Sequence, residues 1–413
     1  MDLADPDLWQ QGVPHDEFRR LRAEAPIAWA EHPGGHRGYW VVTRHADVVA
    51  VSRDTGTFSS RDGVITLEDL DQAQLEARRT MLEEDPPRHR ELRSLTSAHF
   101  TPKAVQAHED YVRALAVEAI DTVISAGETD LVPILSERIP IRVLGRILGV
   151  PDQRVDDLVR LGNQMIGSDD PEYVDPALAD VPPDETRLLP FGHPAALDAF
   201  DLARQLAAER VLHPEDDVMT ALALGQAGGA PLTDRERATY FVLLVIAGNE
   251  TTRHTITSAV AALAAFPEQW DRLKAGTTDP NRAADEAIRW ATAIHYHRRV
   301  ATRDVTLGDV HIAAGEKVVL YFASANFDES VFEDPYRLDL NRSPNEHVSF
   351  GRGGPHFCLG AHLARLELRV VLEELASRVD SIEVTGPPVR LRSNHINGVK
   401  HLPVRFQPAA SSQ

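Results

Sequence analysis

The sequence predicts a mainly α fold with small β-sheets, on three observations. Helical patterning dominates, as in "LAVEAIDTVISAG" and "LARLELRVVLEELASRV", where apolar residues recur at three- and four-residue spacing. Strand-like stretches are short and cluster in two places, one near the start and one after residue 297. A single helical pattern of roughly 33 residues, about 50 Å long, is enough to cross a whole domain. Because the β segments come from both ends of the chain, one domain over residues 1–407 is expected, with 408–413 a disordered tail.

The elements follow in order. "GYWVVTRHADVVAV" passes from strand to helix. Between residues 170 and 195, "DPEYVDPALADVPPDETRLLPFGHP" is dense in proline and reads as a long connection, a lid rather than a linker. "GQAGGAPL" at 225–232 is a second break. In "TDRE", Thr233 fits an N-cap and Glu236 the N3 position of a capping box. The apolar pattern then runs to Phe266, and Pro267 stops it. Midway lies "AGNETT", residues 247–252, where Gly248 costs about 1 kcal/mol relative to alanine. Two readings stay open there. One is a packing glycine among polar residues; the other is a local bulge beside an acid and an alcohol able to relay protons. Strand patterns return in "RRVATRDVTLGDVHIAAGEKVVLYFASA" and "IEVTGPPVRLRSNHINGVKHLPVRF".

Composition excludes several classes of function. A net charge of −20 argues against nucleic acid and leaves small molecules or basic protein surfaces as partners. The single cysteine, Cys358, excludes an intrachain disulfide and suits a reducing cytosol, so a cytoplasmic location is expected. The start "MDLADPDLWQQGVPHDEF" has no basic or apolar run of a signal peptide, and no stretch approaches the roughly 20 apolar residues of a membrane helix.

Two constellations carry chemistry. In "EAIRW", Glu286 and Arg289 are neighbours on one helix face, and Arg342 follows in "FEDPYRLDLNR". They are either a solvated pair and a distant cation or one buried network. In "FGRGGPHFCLGAHLARLE", Gly351, Gly353 and Gly354 permit a tight turn that brings Cys358 to the start of a helix read from Leu359. A lone cysteine is either a small buried hydrophobe or a ligand. One cysteine with no CxxC or HExxH argues against a zinc site, whereas an axial thiolate to haem iron needs one cysteine only.

Taken in order, "DPPRHRELR", "AGNETT", "EAIR", "RRVAT", the proline–arginine meander and "FGRGGPHFCLG" resemble the cytochrome P450 superfamily over nearly the whole chain, in its soluble bacterial form. The resemblance implies a large helical region plus a smaller β-rich region, with haem b (iron protoporphyrin IX) between two central helices. It implies Cys358 as proximal iron ligand, flanked in the haem site by Phe350, Gly351 and Gly360. Glu250 and Thr251 would be the catalytic acid–alcohol pair, with Ala247 and Gly248 making room for dioxygen. His89, Arg93, Arg299 and His356 would reach the haem propionates, and Glu286, Arg289 and Arg342 would form a structural triad. Ile65, Leu67, Leu243, Ile246, Ile294, His295 and Ile396 would line the substrate pocket.

The implied activity is insertion of one oxygen atom from O2 into a C–H bond or C=C of a bulky apolar molecule, such as a terpenoid, steroid, fatty-acyl or secondary-metabolite scaffold. With no flavin or iron–sulfur motif, electrons would come from NAD(P)H through ferredoxin reductase and ferredoxin, with Arg352 as a docking cation on a monomeric protein. The alternatives are a peroxide-dependent haem-thiolate enzyme and a non-catalytic haem-binding recruitment protein. The intact Glu250–Thr251 pair argues against the first, and that pair with Cys358 argues against the second. Three departures stand out. Phe350 lies one residue further from Cys358 than is commonest, Phe327 stands where arginine is usual, and His297 stands where an apolar residue is common.

Overall fold

Thr233 accepts the N–H of Glu236 and Glu236 returns the bond, so the longest helix starts at this capping box and runs Asp234–Ala265. It ends at Phe266, because Pro267 opens the next helix. The computed structural model describes residues 2–167, 169–174, 186–189 and 192–410. The middle of the proline-rich connection lies outside these residues. The long helix is buried on nearly every side, packed by helices Arg138–Leu148, Val155–Ile166, Ala195–Leu212, Pro280–Ala291 and Ala361–Arg378. Its buried apolar residues all belong to one core, which explains why its sequence lacks a polar face.

Strands from distant parts of the chain share one sheet, in the order Ile27–Ala30, Tyr39–Val42, Lys317–Tyr321, Tyr296–Ala301, Phe58–Ser59. Lys317–Tyr321 pairs parallel with Tyr39–Val42 and antiparallel with Tyr296–Ala301. A second sheet joins Val379–Val384, Pro403–Pro408 and Glu128–Asp130. The expected boundary at 407 is therefore corrected. Pro408 still pairs with Val379, and the N–H of Ala409 donates to Arg378 O at 2.8 Å. Residues 411–413 lie outside the described residues. "GQAGGAPL" closes as a two-stranded hairpin, with Gly228 and Gly229 at φ of 63° and 81° in its turn. Among the described residues no helix is long and apolar enough to cross a membrane.

Candidate active site

The cysteine loop is held by its own backbone and by its neighbours. The N–H of Cys358 donates to Phe350 O at 2.8 Å, and that of Gly351 to Val348 O at 2.8 Å. The loop thus closes around its additional residue. Gly351 and Gly353 take φ of 71° and 90°, which favour glycine. A Cβ on Gly354 would lie 2.1 Å from Ser52 O, so this glycine lets the loop lie against helix His45–Arg53. The helix after the loop begins at Ala361, two residues later than the sequence pattern suggests, with Gly360 as its N-cap. Gly360 donates its N–H to the Cys358 sulfur.

Cys358 is surrounded by protein yet has open surface, because its sulfur faces an internal cavity of about 670 Å³. Burial pushes its thiol up despite the N–H of Gly360 and the charges of Arg93 and Arg365. The protein by itself therefore holds a neutral thiol, and a bound cation is what would draw the proton off. A Cβ on Gly360, which also lines the cavity, would meet nothing within 4 Å, leaving a flat approach beside the sulfur.

Hydrogen-bond donors gather at one end of this cavity, two of them guanidiniums and two imidazoles. The rings of His89 and His356 lie 4.1 Å apart, and Ser60 Oγ is 3.3 Å from His356 Nε2. Burial, reinforced by Arg93 and Arg299, lowers His89 to about 4, and burial with Arg299 lowers His356 further. Arg299 is itself buried and depressed to about 10 by burial. No carboxylate pairs with Arg93 or Arg299 among the described residues, and His89 Nδ1 and Arg299 Nε are buried without a partner. Two guanidiniums without a carboxylate, beside orphaned buried donors, are the complement of a dianion. The residues therefore fit haem, with Cys358 toward the iron and these four side chains toward the propionates. Bound there, haem would supply one-electron and dioxygen chemistry, which a thiolate ligand biases towards O–O cleavage.

The central helix stays α-helical through 247–252, so the bulge reading is not what the structure adopts. Ala247 is exposed in mid-helix because it faces the cavity. The absent side chain of Gly248 points elsewhere: a Cβ there would lie 3.1 Å from both methyls of Leu144. Close helix packing is thus what requires this glycine. Thr251 faces the cavity, its hydroxyl donating to Ala247 O at 2.8 Å. Glu250 does not pair with it. The Glu250 carboxylate is 1% exposed and is held by Arg253, by Asn249 Nδ2 at 3.1 Å and by His254 Nε2 at 3.3 Å. Burial opposes its charge, but Arg253 and His254 hold the carboxyl below its ordinary value.

Glu286, Arg289 and Arg342 form one buried network, as the resemblance implies. Arg289 donates from Nε and Nη2 to the two oxygens of Glu286, both at 2.8 Å, and both side chains are 0% exposed. Arg342 Nε reaches the same carboxylate at 3.1 Å. Arg289 continues to Asn326 O at 2.8 Å, and Asn326 binds Ser349 Oγ and the N–H of Val348, at the foot of the cysteine loop. The triad therefore braces the loop through backbone. Phe327, where arginine is usual, is buried beneath Arg289, whose guanidinium lies 5.2 Å from its ring.

Ile65, Leu67, Leu243, Ile246, Ile294 and Ile396 all line the cavity, and so do Phe350 and Gly351. His295 is the exception and is corrected here. Ile294 forms a β-bridge with Ile396 and faces inwards, so the next residue on extended backbone points away. His295 packs instead against Trp9, with ring centroids 4.0 Å apart. The sequence reading missed two lining imidazoles, His297 and His395, which stack 6.0 Å apart. The one available signal was the oddness of His297. Arg352 is already ion-paired with Glu346, so it is not a free docking cation.

The cytochrome P450 family model matches residues 281–390. The chain is 38% identical to a steroid C26-monooxygenase of Mycolicibacterium smegmatis, over 100% of this chain and 95% of the relative. It is 37% identical to a methyl-branched lipid omega-hydroxylase of Mycobacterium tuberculosis, over 98% and 94% of the two. A solved Mycobacterium marinum cytochrome P450 in complex with pseudoionone superposes with a TM-score of 0.89, at 39% identity and 98% coverage of both chains. With the thiol, the cation cluster and the buried triad in place on this fold, the chain belongs to the cytochrome P450 family and is a P450 monooxygenase.

Proposed function

We propose that this P450 monooxygenase hydroxylates an elongated apolar molecule of the steroid or branched-lipid class, held over Cys358 by the aliphatic walls of the cavity. The observation that carries this reading is the cavity itself, with the Cys358 sulfur among its lining residues and Ile65, Leu67, Leu243, Ile246, Ile294 and Ile396 around it. The names of the relatives support the same class. In this reading the chain excludes water from the apolar space, two guanidiniums and two imidazole donors orient the cofactor, and Thr251 holds a proton-bearing hydroxyl in the cavity. Glu250 acts through Arg253 and His254 rather than beside Thr251. Reducing equivalents come from NAD(P)H through a reductase and ferredoxin.

The test of the haem-thiolate core is the reduced, CO-bound spectrum. A band at about 450 nm is expected for thiolate ligation and should vanish in Cys358→Ala. A variant that kept the band would refute the ligand assignment. The substrate class is tested by spectral-shift titration with sterols, branched fatty acids and flat polar aromatics; preference for the last group overturns it.

A further inference from the structure

The loop Gly63–Glu68 forms one wall of the cavity, yet it contains no helix or strand to stiffen it. Its order comes from donors on two strands that grip its carbonyls. The Arg298 N–H donates to Val64 O at 2.8 Å, its Nε to Gly63 O at 3.3 Å and its Nη1 to Glu68 O at 2.8 Å. Tyr296 Oη donates to Ile65 O at 3.3 Å, and Lys317 Nζ to Leu67 O at 2.7 Å. Five of the six carbonyls from 63 to 68 are thus occupied from strands Tyr296–Ala301 and Lys317–Tyr321.

Arg298 is the centre of this grip. It is 2% exposed, and no carboxylate lies within ion-pair distance among the described residues; Asp62 and Asp69 act on it only from further away. A guanidinium buried without a counter-ion is costly, and here two carbonyl dipoles, those of Gly63 and Glu68, offset part of that cost by accepting from Nε and Nη1. Gly63 is shaped to it: φ is +103°, and a Cβ would stand 2.8 Å from Arg298 Nη2. Lys317 is paired with Asp69 at 3.3 Å, and Asp69 is tied in turn to Arg37. The strand Tyr296–Ala301 works from alternate faces. Tyr296 and Arg298 hold the loop, while His297 lines the cavity and Arg299 joins the cation cluster.

We propose that Arg298 is a positioning residue for substrate, fixing the 63–68 wall and so setting which apolar ligand the cavity accepts. This rests on the reading of the cavity as the substrate site. Neither side chains that touch the ligand nor the haem site need change for specificity to change.

The test uses holoenzyme carrying Arg298→Met, Arg298→Lys or Lys317→Met. Hydrogen exchange should rise in residues 63–69 of Arg298→Met and stay as in wild type in residues 348–360. Haem content and the CO-bound band should match wild type. The dissociation constant for whichever probe shifts the wild-type spectrum (cholesterol, pseudoionone or hexadecanoic acid) should rise about tenfold, and the product distribution should broaden. Arg298→Lys should recover part of both, and Lys317→Met should repeat the effect more weakly. Unchanged exchange in 63–69 overturns the proposal. So does weaker binding that appears only together with lost haem, because that marks Arg298 as general support of the fold. Absence of the CO-bound band from wild type would instead sink the P450 reading of the site.

Discussion

Glu250 and Thr251 are adjacent in sequence and both border the cavity, yet their side chains take different partners. Thr251 turns its hydroxyl into the cavity, bound to Ala247 O at 2.8 Å, whereas the Glu250 carboxylate is enclosed with Arg253 and His254. The two substitutions should therefore separate. Thr251→Ala should leave thermal stability near wild type and uncouple electron consumption from product. Glu250→Ala should remove the buried carboxylate beside Arg253, itself 1% exposed, leaving it the Glu137 carboxylate at 2.7 Å, and cost up to about 3 kcal/mol in denaturant unfolding. Uncoupling in Glu250→Ala at unchanged stability would move the proton-handling role onto the acid.

Glu286 is the hub of the triad, accepting from Arg289, Arg342, Asn345 Nδ2 at 3.2 Å and the N–H of Asp339 at 3.1 Å. Glu286→Ala leaves two guanidinium groups without their carboxylate and should cost about 3–5 kcal/mol. Because the network reaches the cysteine loop through Asn326, the purified variant should also carry little haem. Full haem occupancy with wild-type unfolding would show that the triad does not brace the loop.

Glu367 sits on the helix after the cysteine loop, 1% exposed, with both carboxylate oxygens buried and unpartnered. Burial pushes its pKa up from 4.5 to about 8. Between those values the folded state binds more protons than the unfolded one, so stability falls as pH rises through this window. Glu367→Gln keeps the shape and removes the titration. Melting temperatures of the two proteins should converge near about pH 4.5 and diverge in favour of the variant towards about pH 8. A pH-independent difference would mean that Glu367 is ionised in the fold.

Asp170 joins the start of the expected lid to the C-terminal β region. It is 1% exposed and accepts from Lys400 Nζ at 2.8 Å and the N–H of Arg392 at 2.8 Å. Its neighbour Asp169 lines the cavity. Lys400→Met should therefore speed substrate release in stopped-flow traces while the CO-bound spectrum stays as in wild type. Equal release rates would detach this cluster from gating.

Much of this molecule was legible in the residues alone. The capping box at Thr233, the stop at Pro267 and the short strands at both ends of the chain depend on local rules of hydrogen bonding and periodicity, and each appears where those rules put it. The order of motifs around Cys358, Glu286 and Arg289 was enough to indicate the family, because thiolate, triad and cation cluster need particular residue types. Tertiary structure decided the rest. Only packing against Leu144 explains Gly248, and only Glu137 and Asn163, brought to Arg253 from elsewhere in the chain, enclose the Glu250–Arg253 pair. His295 left the pocket because a β-bridge fixed which face its neighbour presents, and Arg298 acquired its task because a distant loop laid its carbonyls across it. Local chemistry specifies what a residue can do; the direction its side chain takes is set by contacts hundreds of residues away, and sequence periodicity carries no record of them.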